Sequence, residues 1–308
     1  MESLFIPLAL AAGGLLTVQA GANAQLAKAI GSPFTATTLQ LSVAAVALLA
    51  VAILTGSVAA FAALPAARWW HVLGGVASAI YVVSTIFLFP RIGAVVSVGL
   101  FIAGQMLASA VLDSFGLLGV AAIGLDAGGA AGTLIVLLGA VLIMFGQKGA
   151  AAELGWSKLG WIALALIAGA VLPIQGAVNA LLHADLGGAA FAVGTVSFVV
   201  ATAAMAAVIW AGSGWLRIPS PCIECVAGMP WWGWLGGFAG AIYVTTMFTA
   251  IPAIGAGAAA GLTVAGQQVA SVFVDKHGWF RLPQRPVSGM RLAGVVLLLA
   301  GVALIKRG

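Results

Sequence analysis

The stretch WWHVLGGVASAIYVVSTIFLFPRIGAVVSVGLFIAGQMLASAVLDSFG, residues 69–116, is written twice into this chain of 308 residues. Advancing each number by 162 returns Trp231-Trp232, Gly236-Gly237, Ala241-Ile242-Tyr243-Val244, Pro252, Ile254-Gly255-Ala256, Gly266-Gln267, Ala270-Ser271, Asp275 and Gly278. Of the 48 aligned positions, 23 are identical without a gap. A shared abundance of Ala and Gly does not explain this, because Trp, Tyr, Gln, Pro and Asp all recur in register. The chain is a tandem duplication, and a repeat of this kind sets the architecture before any single residue is weighed.

Composition fixes the solvent. The chain is 63% hydrophobic and 6% charged, whereas an ordinary soluble domain has about a quarter of its residues charged. Ten apolar spans follow, at 4–28, 34–56, 70–89, 93–112, 131–147, 161–182, 189–212, 232–250, 255–274 and 290–306. Each is long enough to cross a bilayer at 1.5 Å per residue. No alternating pattern of a barrel is present, and unpaired backbone cannot face lipid, so the spans are expected to be helices. The first span is expected to be a retained helix rather than a cleaved leader. The expectation is therefore an all-α membrane protein of ten transmembrane helices.

The halves meet at 148–160, where Lys148, Glu153 and Lys158 form a polar linker. This divides the chain into a first repeat, 1–150, and a second, 151–308. Five spans per repeat is an odd number, so the second repeat must be inverted relative to the first. Inverted five-helix repeats are the architecture of many secondary carriers, with the binding site near the midplane between them. The net charge of +5 is spread singly over short loops and reads as membrane orientation rather than a nucleic-acid footprint. With both termini outside, nine Lys and Arg residues fall on the inner side and Arg68, Lys306 and Arg307 on the outer, which favours that orientation.

Polar groups inside so apolar a chain have to be compensated. Gln19 and Asn23 recur as Gln175 and Asn179, offset by 156, and the i, i+4 spacing puts both amides on one helical face. Amides offer donors and acceptors without charge, which suits a polar or zwitterionic solute; equally, they can bond neighbouring helices. Gln105 and Gln267, and Tyr81 and Tyr243, also lie deep within spans, as cavity-lining groups or interhelical bonds. Asp113 and Asp275 end spans four and nine at opposite faces, either as proton-coupling carboxylates or as structural acceptors. Arg291, at the start of span ten, stands where the first repeat has Gly129.

Several classes fall away. Cys222 and Cys225 are two loop thiols with no further cysteine to complete a metal site, and no nucleotide-binding motif is present. Neither metal ligands nor a catalytic set occurs within the spans, so an enzyme is not expected and no cofactor is implied.

The set Gln-x-x-x-Asn-x-x-Leu in both repeats (Leu26 and Leu182 last), the Gly-Gly and Tyr of span three, and Gly-Gln-x-x-x-Ser with its Asp in span four resembles the drug/metabolite transporter superfamily. The nearest likeness is its branch of five-helix half-size inner-membrane proteins, found as pairs or as fused ten-helix chains. The resemblance implies a prokaryotic inner-membrane exporter of small metabolites or drugs, with proton coupling through Asp113 and Asp275 as one expectation. Its partners would be the lipid bilayer and a small solute, with no nucleic acid, and the chain would act as a monomer with an internal pseudo-dimer. Distant relatives couple through a glutamate in helix one; here Glu2, Glu153 and Glu224 all lie outside the expected spans. A channel or a non-transporting scaffold subunit are the alternatives.

Overall fold

The computed structural model describes residues 2–122, 127–146, 156–212, 224, 228–282, 284 and 287–307. Asp126, Lys148, Glu153, Arg217, Cys222, Cys225 and Arg285 lie outside them. Ten long helices follow in order: α1 (Glu2–Ile30), α2 (Pro33–Leu54), α3 (Val76–Ile92), α4 (Ala94–Phe115), α5 (Ala127–Phe145), α6 (Leu159–Asp185), α7 (Ala190–Gly212), α8 (Leu235–Ile254), α9 (Ala256–His277) and α10 (Gly289–Arg307). No strand occurs among the described residues. Nine spans there are long and apolar enough to cross a bilayer, and α10 adds a shorter apolar stretch, Gly289–Ile305. The architecture is the expected bundle of about ten membrane helices in two repeats.

Most of the helices run longer than the expected spans, α2, α3 and α7 being slightly shorter, and two junctions are tighter. A single glycine separates α3 from α4 and another separates α8 from α9: Gly93 (φ 77°, ψ 150°) and Gly255 (φ 81°, ψ 159°). Only a residue without Cβ enters that region at low cost, so a sharp turn fits into one position. Short 3-10 segments, Trp69–Gly75 and Trp231–Trp234, lead into α3 and α8. Trp69 and Trp231 are each 75% exposed, as befits mirrored anchors at the headgroup level.

The repeats interleave rather than sit side by side. α1 packs against α8 and α9 of the second repeat, and α6 packs against α3 and α4 of the first. α2 pairs with α7, and α5 with α10 in the most extensive helix contact of the molecule. Lipid tails are as apolar as leucine, so packing, not water exclusion, holds these helices together. Close approach is built from mirrored glycines. A Cβ on Gly104 would collide with the Leu166 carbonyl oxygen of α6, and one on Gly266 with the Leu10 carbonyl oxygen of α1. Between α5 and α10, Gly132 abuts Gly301 and Gly139 abuts Gly294.

Candidate functional site

The two Gln/Asn pairs lie at the seams where the repeats interleave. Gln175 Nε2 donates to Ser78 Oγ of α3 at 2.8 Å. Gln19 lies against Gly240 of α8, and residues 78 and 240 are equivalents in the repeat. Asn179 donates to Ser197 Oγ of α7 at 3.0 Å and Asn23 to Thr37 Oγ1 of α2 at 3.3 Å. Each asparagine keeps a buried Oδ1 with no hydrogen-bond partner among the described residues, and such a group is costly unless something completes it. Gln175 and Asn179 are 4% and 0% exposed, whereas Gln19 and Asn23 are only partly buried. Both asparagines thus bond the next helix of their own repeat, and Gln175 bonds α3 across the repeat boundary.

The tyrosines occupy equivalent places on α3 and α8. Tyr81 packs its ring 5.1 Å from Phe101 of α4. Tyr243 is buried on α8. Gln105 is buried on α4, one residue beyond the Gly104 crossing. Gln267 on α9 is partly exposed, and its backbone carbonyl accepts from Thr17 Oγ1 of α1 at 3.0 Å.

The aspartates occupy equivalent positions in different states. Asp113, at the end of α4, accepts from Ala256 N–H at 2.8 Å and from Gly257 N–H at 2.6 Å. It caps α9 across the repeat boundary, where a helix N-terminus leaves its first amides unsatisfied and favours negative charge. Asp275, at the equivalent end of α9, pairs with Arg291 Nη1 at 2.7 Å, while Arg291 Nη2 donates to Ser271 Oγ at 3.0 Å. Gly129 stands at the position of Arg291 in the first repeat, so that repeat has no side chain there to hold its aspartate back.

The asymmetry extends through the helices. Gly255 and residues 256–266 of α9 are all buried; in the equivalent stretch of the first repeat Val96, Ser97, Phe101, Ile102 and Gly104 are buried, whereas Gly93, Val98, Gly99, Leu100 and Ala103 are partly exposed. α8 packs on both α1 and α6; α3 packs on α6 and has no more than marginal contact with α1. Val244 and Phe248 on α8 are buried, but their equivalents Val82 and Ile86 on α3 are not. The Asp113 end is also tied by His71, ahead of α3, whose Nδ1 meets Asp185 Oδ2 at the end of α6. His71 and the Arg291 pairing escape a reading of repeated residues, because Gly233 and Gly129 replace them in the other copy. The signal that could find them is a polar residue where the repeat mate is glycine.

Ten membrane helices, duplicated, interleaved and unequally closed, define an integral membrane protein of the transporter type. The chain belongs to the family described as "Putative inner membrane exporter, YdcZ", whose model matches residues 4–142 and 160–304. It is thus a multi-pass inner-membrane protein of an exporter family, concerned with transport rather than catalysis. No curated protein matches the chain in sequence. A solved chain described only as "Crystal structure of protein" superposes with a TM-score of 0.72 at 17% identity, covering 100% of this chain and 98% of that one. At that identity it shares the fold and says nothing of the solute.

Proposed function

We propose that this protein is a secondary exporter of small polar metabolites or drugs, working by alternating access between the repeats 1–150 and 151–308. The observation that carries this reading is the unequal state of two equivalent ends. Asp113 caps the start of α9 and Asp275 is held by Arg291; in the proposed cycle the first latch is engaged and the second released. Exchange of these roles reverses the exposure of the midplane. The solute then lies between Tyr81, Tyr243 and the amides of Gln19, Asn23, Gln175 and Asn179, with Gln105 and Gln267 beside it. Protonation of Asp113 would remove its charge from the α9 N-terminus and weaken that latch, which couples a proton to the conformational step. On the Lys and Arg count the open, Asp275 end faces the cytoplasm and both termini lie outside.

The test is cysteine accessibility in proteoliposomes, in a background with Cys222 and Cys225 replaced by serine. Ile86→Cys should react with a membrane-impermeant thiol reagent from one side only, while its equivalent, Phe248→Cys, stays protected. Imposing a pH gradient or adding a transported solute should exchange the two. Equal reactivity of both positions under all conditions would overturn the mechanism.

A further inference from the structure

Two apolar grooves open on the lipid-facing surface, one of about 550 Å³ between α1 and α9 and one of about 600 Å³ between α4 and α6. They are equivalents. Gly104, Ala108, Val111 and Leu117 of one return as Gly266, Ala270, Phe273 and Trp279 of the other. Each begins where a glycine lets two helices touch and widens as they part. The apolar walls match in character; the rims do not.

On α9 the groove-lining face continues one turn further into Lys276 and His277, and Arg281 follows, all exposed. On α4 the same positions are Ser114, Phe115 and Gly119. Lys28, exposed in the last turn of α1, is matched on α6 by Ala184. Trp279 lines the groove at 54% exposure, and His277 stacks on it with ring centroids 5.8 Å apart. The Arg281 guanidinium stands 5.8 Å from the Trp232 ring. One groove thus ends among exposed Lys276, His277, Arg281 and Trp279, whereas its copy ends without Lys or Arg and with an exposed Asp185 following Ala184.

We propose that the α1–α9 groove is a binding site for an anionic phospholipid, with an acyl chain in the trough and the phosphate at Lys276 and Arg281. An apolar wall cannot choose among lipids, because their tails are alike. Selection has to come from the headgroup, and basic clusters at the ends of membrane helices attract acidic lipid. A tryptophan at the rim fits that depth, since indole favours the boundary between hydrocarbon and water. The α4–α6 groove shares the wall and lacks the cations, so it binds lipid without preference. This site lies on the lipid-facing surface of the bundle.

Native mass spectrometry of the full-length protein tests it, with phosphatidylglycerol and phosphatidylcholine of identical chains as probes. The expected result is one retained phosphatidylglycerol, favoured over phosphatidylcholine by about five- to tenfold. The exposed double variant Lys276→Gln/Arg281→Gln should bring that ratio close to one while phosphatidylcholine binding stays the same. Equal retention of the two lipids by the unaltered chain, or undiminished preference in the double variant, overturns the proposal. Complete competition by equimolar glycerophosphate, which has no chain, overturns the role of the groove and leaves a phosphate site alone.

Discussion

Asp113 and Asp275 descend from one residue, end equivalent helices and yet do different work. One crosses the repeat boundary to cap α9; the other is paired to Arg291 of its own repeat. In the mechanism proposed above, the duplication supplies two latches and the unmatched Arg291 biases which one is engaged. Arg291 is 4% exposed and keeps a buried Nε without a partner. A cation so placed in a membrane protein is tolerated for a function or for a partner, and here the partner is a latch residue.

The largest effect should come from that arginine. Arg291→Ala leaves the Asp275 carboxylate, 22% exposed, without its counter-charge at a cost of about 3 kcal/mol, the bottom of the range for a broken buried pair. Thermal unfolding in detergent should show a clear loss, and adding Asp275→Asn should restore most of it. If Arg291→Ala alone is as stable as the unaltered protein, the ion pair is not what distinguishes the two ends.

Next comes the engaged latch. Asp113→Ala removes the acceptor from two amides at the start of α9, a loss of about 1–2 kcal/mol. Because that loss falls on only one of the two states, the population should shift by about tenfold. The cysteine at position 248 would then become reactive. Asp275→Ala should not unmask it, and identical behaviour of both variants would erase the comparison.

The smallest effect should separate the amides. Gln175→Ala breaks the bond to Ser78 and should cost about 0.6–1 kcal/mol. Gln19→Ala, facing Gly240, should cost less in thermal unfolding. Solute flux should decline in both, since both belong to the proposed path. Normal flux in the two variants would reduce these glutamines to interhelical bonds.

Much of this was legible in the sequence for a physical reason: transmembrane length is set by bilayer thickness, so apolar runs translate directly into helices. The duplication was carried by residues such as Trp69, Tyr81, Gln105 and Asp113, too distinctive to recur in register by composition. The neighbours of each helix were not legible. Helices that are apolar on nearly every side leave no stripe to show which face meets which partner. Nothing local announced that α1 would lie between α8 and α9, or that Asp113 would cap a helix 143 residues away. Asp185 reads as a loop residue beside His183; its partner is His71, 114 residues earlier. Single-glycine hinges were hidden too, because Gly93 and Gly255 sit among many glycines and only their backbone angles set them apart.

Interleaving also orders the making of the protein. α1 is synthesised well before α8 and α9, two of the helices that grip it. α5 waits in the same way for α10, its most extensive partner, five helices later. The first repeat must therefore enter the bilayer with several packing faces turned to lipid and hold its orientation there unaided. Final assembly is a late event in biogenesis, and a ribosome that stalls before α10 leaves the longest seam unclosed.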